Sequence, residues 1–293
     1  MEHVQALTIP ATLPTVLSWM QAQPLLQARE QRLGTCDSSL DLGCSTRVAT
    51  LSADGVHFDD DQRIPWTALE HIAGDTNGCF EVVDSEVTRV QQMSESTGRL
   101  ASLYPTPGPP ALLLSGTLMH RIKGIHPGQD TQRKLQPLGR LAGKRVLDAA
   151  TGLGYTAIEA ARAGAQVVTV EWDPAVVAVE RRNPWSTDLF QNDRIERHEG
   201  DITDLIMDFE ADTFDRILHD PPAFELAGDL YGGAFYRQLQ RVLAPRGRLF
   251  HYVGNLDSPS GVRVSRGVVL RLEEAGFGNV RRQPEAFGIS ASI

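Results

Sequence analysis

RVLDAATGLGYTAIEAARAGAQVVTVE, residues 145–171, reads as a strand, a glycine-rich turn, a helix and a second strand. The apolar run before Asp148 suits a strand buried on both faces. Gly152 and Gly154 stand where the strand must turn tightly, and a missing side chain there lets the backbone approach a ligand. Helical spacing resumes at Tyr155 and is closed by Gly164, after which Gln166–Glu171 is again β-branched and apolar.

The same alternation continues downstream. PAVVAVERR (174–182) predicts a helix, IERHEGD (195–201) a short strand with its loop, and FDRILHD (214–220) another strand. FYRQLQRVLA (235–244) is helical, RLFHYVG (248–254) a strand, and GVVLRLEEAGF (267–277) the last clear helix. Strands alternating with helices require right-handed crossovers and a sheet covered on both faces. The expectation is an α/β, Rossmann-like domain over 111–293 with a mostly parallel seven-stranded sheet.

Upstream the texture differs. Residues 13–31 carry apolar residues at helical spacing (Val16, Leu17, Met20), interrupted by Pro24, so one helix or two short ones are expected. RVATL, SADG and VHF (47–58) read as a hairpin with Asp54-Gly55 supplying the positive φ of its turn. A short helix (TALEHIAG) and the strands CFEVV and VTRVQQM, around Asp84-Ser85, follow. Residues 1–110 are therefore expected to form a helix plus a small, mostly β module. The prolines of YPTPGPP (104–110) mark a boundary or a rigid loop.

With 41% hydrophobic and 22% charged residues, the composition is that of a globular protein. No apolar run reaches the roughly 18–20 residues of a membrane span, and no secretory signal pattern opens the chain, so a cytoplasmic protein without a membrane partner is expected. Cys36, Cys44 and Cys79 are odd in number and lack a CxxC pair, which favours buried reduced thiols over disulfides or a metal site. The net charge of −9 is concentrated early, with 6 Lys/Arg against 14 Asp/Glu in residues 1–100. The near-balanced remainder leaves a polyanionic partner open, because binding follows local potential. The sequence also leaves a homo-oligomer open.

Candidate site residues gather at strand ends. Asp148, Thr151, Gly152 and Gly154 form a D-x-x-x-G-x-G turn, distinct from the G-x-G-x-x-G of nicotinamide enzymes. Glu171 ends the second strand, where a carboxylate accepts hydrogen bonds from ribose hydroxyls, and Asp201 follows the third. His219-Asp220-Pro221-Pro222-Ala223-Phe224 follows the fourth strand. Asp220 and the Pro221 carbonyl can accept from an amino group, Pro222 stiffens the loop, and Phe224 can stack on a planar acceptor. His120, Arg121 and Lys123, in the run from Ser115, are candidates for holding a substrate anion, as a helix or strand start. Tyr231 and His251 complete the candidates.

These motifs resemble class I methyltransferases that use S-adenosylmethionine (SAM). The D-x-x-x-G-x-G turn is similar to their first motif, and the Asp220–Phe224 run to the [DN]-P-P-[YF] signature of enzymes methylating exocyclic amino groups, with one residue inserted. Ser96-Thr97, Tyr104–Thr106, Ser115–Lys123, Thr151–Ile158, Asn183–Ser186, His219–Phe224 and Leu226–Tyr231 resemble a family of uncharacterised archaeal-type SAM-dependent methyltransferases, over roughly residues 40–280. The resemblance implies SAM as cofactor, Asp201 near the adenine, and methyl transfer to an amino group of RNA or of a small planar metabolite. Ala223 stands where that family frequently has arginine. Cytosine C5 chemistry needs a cysteine nucleophile, and none follows Cys79. Two alternatives accompany this reading. One is an aminopropyltransferase of the polyamine-synthase type using decarboxylated SAM, which typically shows G-G-G-D-G-G at the first loop. The other is a SAM-binding regulator without turnover.

Overall fold

The computed structural model describes residues 14–59, 62–224 and 227–293; Leu13 and Leu226, which belong to segments singled out above, lie outside them. The chain forms two units, one comprising the residues up to Val90 with Ser102–Pro110 and Arg182–Trp185, the other Gln91–Ala101, Ala111–Arg181 and Ser186–Ile293. The division is thus not a single cut along the sequence.

The second unit holds a seven-stranded sheet. Its strands are β1 (Arg145–Asp148), β2 (Gln166–Glu171), β3 (Ile195–Glu199), β4 (Phe214–His219), β5 (Leu243–Tyr252), β6 (Gly278–Gln283) and β7 (Gly288–Ser292). Their order is β3-β2-β1-β4-β5-β7-β6. The first five run parallel, whereas β7 is antiparallel to β5 and β6 to β7. Central strands are apolar and buried, while the edge strands β3 and β6 carry the charges that discourage edge pairing.

Helices α1 (Pro127–Leu135), α2 (Tyr155–Arg162), α3 (Pro174–Glu180), α4 (Thr187–Gln191), α5 (Ile202–Leu205), α6 (Gly233–Val242) and α7 (Pro259–Glu274) cover both faces. Strand periodicity sorts the core into two layers. Leu147, Val168, Ile217 and Leu249 pack with Phe235, Leu239, Val268 and Leu272 of α6 and α7. Their neighbours Val146, Val167, Leu218 and Phe250 pack on the other side with Leu135, Leu138, Ala157 and Ala161. Reversal of strand order between β1 and β4 opens a crevice at the carboxyl ends of the strands. Among the described residues, no helix is long and apolar enough to cross a membrane.

Three local expectations change. The run from Ser115, expected as a helix or strand start, opens a two-residue strand and no helix. Ser115 and Gly116, with φ of 47° and 83°, turn the hairpin Ala111–Leu114/Thr117–Leu118, and the next helix begins only at Pro127. In the first unit, Val16 and Leu17 lie in a strand paired with Glu81 and Phe80, and Trp19–Glu30 is one helix with Pro24 inside it. Ser18 caps that helix, so the polar cap rather than the apolar spacing sets where it begins. Asp54 and Gly55 lack positive φ; Gly55 is required because a Cβ there would collide with the Ile64 carbonyl of the paired strand. The left-handed pair is Asp84-Ser85, between Cys79–Val83 and Glu86–Arg89. Cys79 is buried, Cys36 partly so, and Cys44 exposed.

Candidate active site

The β1–α2 turn is built by backbone hydrogen bonds. The Thr151 N–H donates to the Val170 carbonyl (2.9 Å) and the Gly154 N–H to the Thr151 carbonyl (2.8 Å). Gly152 and Gly154 both have positive φ, 57° and 75°, but for different surroundings. A Cβ on Gly152 would meet nothing within 4 Å, whereas one on Gly154 would come within 2.7 Å of Leu189 Cδ2. Gly152 lines the crevice; Gly154 does not, and serves the turn and its packing. Sequence reasoning gave them one role, because the fold of α4 over the turn was not visible to it.

Glu171 braces this turn. Its Oε2 accepts the Gly152 N–H (2.9 Å), and its Oε1 accepts the N–H groups of Trp172 and Asp173 (3.0 Å each). Burial outweighs those bonds and pushes its pKa up to about 7. Asp148, 1% exposed, accepts from Thr156 and Thr169 hydroxyls at Oδ2, while its buried Oδ1 has no hydrogen-bond partner among the described residues. Burial pushes it up to about 8. Asp173 caps α3 and is held by the Thr97 hydroxyl at 2.8 Å, which gives the Ser96-Thr97 segment a place in the site. Asp201 caps α5 through Oδ1, bonded to the Thr203 N–H and hydroxyl.

A cavity of about 570 Å³ is walled by Gly152, Glu171 and Asp201 together with Asp220, Pro221, Pro222, Phe224 and Tyr231. That volume suits a cofactor-sized ligand plus part of a second molecule. Phe224 is 44% exposed, so its ring is not core. The Tyr231 hydroxyl donates to the Pro222 carbonyl (3.1 Å), and its ring meets Phe224 edge-on at 5.4 Å.

Asp220 leads to a chain of buried charges. Lys134 Nζ donates to Asp220 Oδ2 at 2.6 Å and lies 3.0 Å from Asp130 Oδ2, with the Tyr252 ring 4.4 Å away. Arg121 reaches the other oxygen of Asp130 at 2.9 Å, donates to the Glu285 carbonyl and stacks on Phe287. Burial alone would deprotonate Lys134, but Asp220 and Asp130 outweigh it and hold the ammonium charged. For Asp220 burial raises the pKa and Lys134 opposes that rise.

The candidate anion-binding groups fare differently. His120 lines the cavity, but its Nδ1 accepts the Leu112 N–H (3.1 Å), and burial lowers its pKa to about 3, so it is neutral and offers no charge. Arg121 is engaged by Asp130, and Lys123 is exposed outside the cavity wall. His251 is fully buried and also outside the wall. Its Nδ1–H donates to the His219 carbonyl (3.2 Å) and its Nε2 accepts from the Tyr236 hydroxyl (2.8 Å), which makes it a core residue rather than a substrate ligand. Lys134 and Trp172 line the cavity and were missed. The only sequence signal for Lys134 is Asp130 four residues earlier on one helix. Among the described residues, no group of three or more His, Cys, Asp or Glu is arranged to hold a metal.

Comparison with known proteins places this geometry. The Methyltransferase domain family matches residues 146–247, from β1 into β5. The chain is 42% identical over 229 residues to the uncharacterized protein MJ1233 of Methanocaldococcus jannaschii, covering 78% of each chain. It is 32% identical over 143 residues to a demethylmenaquinone methyltransferase of Clavibacter sepedonicus, covering 49% of this chain and 52% of that one. Among solved structures, a spermidine synthase in complex with the transition-state analogue AdoDATO superposes with a TM-score of 0.58 at 17% identity, over 69% of this chain and 71% of that one. A spermidine synthase of Thermotoga maritima gives 0.54 at 16% identity, over 69% and 70%. These two likenesses concern the fold.

Proposed function

For a chain that belongs to one family with the uncharacterized Methanocaldococcus jannaschii protein and matches the Methyltransferase domain over residues 146–247, we propose that the reaction is SAM-dependent methyl transfer and that the acceptor is an amino group of RNA or of a small planar metabolite, held by Asp220–Phe224. SAM is the cofactor, and the residues present fit it. Gly152 leaves open space at a cavity wall, and Asp148, outside that wall, has a buried Oδ1 with no hydrogen-bond partner among the described residues. In this reading Gly152 gives the backbone access, Glu171 Oε2 and Asp201 Oδ2 accept from ribose and adenine donors, and Asp148 favours the cofactor's positive charge. When bound, SAM supplies a methyl group activated by a sulfonium.

One observation carries the acceptor half. Asp220 lies in the wall of the same cavity as the cofactor residues, and among the described residues its Oδ1 has no hydrogen-bond partner while Oδ2 is taken by Lys134. Oδ1 and the Pro221 carbonyl would accept the two N–H groups of an amine and leave its lone pair oriented. The Pro222 carbonyl is already occupied by Tyr231, which fixes the loop. Phe224 offers an exposed apolar ring for a planar acceptor, and Asp220 Oδ1 is the group to receive the proton that the nitrogen sheds.

Calorimetric titration with SAM and with decarboxylated SAM tests the cofactor side. A screen with tritiated methyl donor over RNA and metabolite extracts tests the acceptor side. Binding of SAM with label appearing in a nitrogen-methylated product supports the reading. Preference for decarboxylated SAM would instead support the aminopropyl alternative.

A further inference from the structure

Lys134 does not belong to any motif of the sequence, yet it is the most deeply placed cation of the cavity wall. Its side chain is 4% exposed and lies between Asp130, 1% exposed, and Asp220, 20% exposed. It hydrogen-bonds Asp220 Oδ2, pairs by charge with Asp130 Oδ2 at 3.0 Å, and its charge lies over the Tyr252 ring. Arg121 closes the far end on Asp130. The run Arg121–Asp130–Lys134–Asp220 alternates in sign and sums to zero. The charges are already balanced, so an added charge has nothing left to neutralise it.

We infer that Lys134 is a positioning and specificity residue: its ammonium fills, as part of the chain, the place beside Asp220 that a cationic amine would take. The acceptor site therefore admits an uncharged amine and rejects an alkylammonium. The inference rests on the acceptor reading above and narrows it toward an aromatic or amide-like amino group, which is neutral near pH 7. Lys134 also restrains Asp220 by holding Oδ2, so that only Oδ1 is left for the acceptor.

The charged and titratable groups around Asp220 are few. Lys134 and Asp130 face it from α1, Asp148 from β1, and Tyr252 from β5, whose ring is in turn influenced by Arg121. Asp229, on the turn after β4, lines the cavity without an ion pair to this chain of charges. Removing the Lys134 charge would leave Asp220 and Asp130 as two carboxylates balanced by Arg121 alone. That site would attract a soluble ammonium.

The test uses the full-length protein with S-adenosylhomocysteine present and 1,4-diaminobutane as the probe, titrated calorimetrically at pH 7.

Wild type and Lys134→Arg are expected to show no saturable binding. Lys134→Met is expected to bind the diamine at least about tenfold more tightly, the scale of coupling between close buried charges. Because two unbalanced carboxylates threaten folding, the double variant Lys134→Met/Asp130→Asn is titrated in parallel; it loses one charge of each sign and still leaves Asp220 without its direct partner. Diamine binding to wild type as tight as to the variants would overturn the inference, as would no gain in any folded variant. SAM binding to wild type, measured first, reports separately on the methyltransferase reading. If SAM binds and the lysine variants behave as wild type, the inference alone fails.

Discussion

Asp148 and Glu171, the carboxylates proposed to serve the cofactor, hold protons more tightly than ordinary carboxylates. Their pKa values, about 8 and about 7, lie above the ordinary carboxylate range because burial disfavours the ionised form. A cation or hydroxyl donors arriving beside them favour ionisation, so SAM binding near pH 7 should release protons and tighten as pH rises from 6 to 8. Calorimetry in phosphate and in Tris checks this, since the apparent enthalpy should differ by the number of protons released; equal enthalpies would contradict it. The same groups act oppositely on stability. A carboxyl whose folded pKa is raised binds more protons in the folded chain, so its contribution falls as pH rises from the unfolded value through the folded one. Asp148→Asn should therefore flatten the loss of stability between about pH 4 and 8. At the core histidine, Tyr236→Phe leaves His251 Nε2 buried without its donor and should cost about 1–3 kcal/mol in urea unfolding, with little change in SAM affinity. A large change in affinity would return His251 to the site. Aspartates at strand ends were readable from sequence because strand and loop positions follow from local pattern. The neutrality of His120 and the pairing of Lys134 were not, because the first follows from burial and the second from Asp220, 86 residues along the chain.

The β1–α2 turn separates two glycines that the sequence makes look alike. Gly152→Ala meets only the cost of a left-handed residue, roughly 1–2 kcal/mol, and should lower the Tm by several degrees while weakening SAM binding more than stability. Gly154→Ala adds the collision with Leu189, and should lower the Tm further. Thermal denaturation with and without SAM distinguishes them; the reverse ranking would show that Gly154, not Gly152, faces the ligand. Strands β1, β2 and β4 were readable because their apolar residues suit a buried strand, whereas β5 was readable only from Arg248, its first half LAPRG being partly exposed. Strands β6 and β7 carry GNVRRQ and GISAS, which have no clear alternation, and they are defined by pairing with β5. Of the helix or strand start expected after Ser115 the strand forms, behind a turn whose positive φ falls on Ser115 as well as Gly116 and which composition alone does not announce.

Across the molecule, each unit has its own buried cluster, and every residue assigned here to cofactor or acceptor belongs to the second. The parallel run of β1 to β5 brings the loops after these strands to one edge, so residues spread from Ala149 to Asn255 meet around one cavity. That convergence is why separate motif matches reinforce one another: the parallel topology requires their strand ends to share an edge. Segment 91–101 belongs to the second unit, where the Thr97 hydroxyl donates to Asp173 and Arg99 lines the cavity. The most direct test of the central claim compares wild type with Asp220→Asn for SAM affinity and for tritium transfer from labelled SAM into RNA and metabolite extracts. We expect both proteins to bind SAM within a few-fold of each other, and transfer by the variant to fall by about 10²–10⁴-fold. Undiminished transfer by Asp220→Asn, or failure of folded wild type to bind SAM, would contradict the claim.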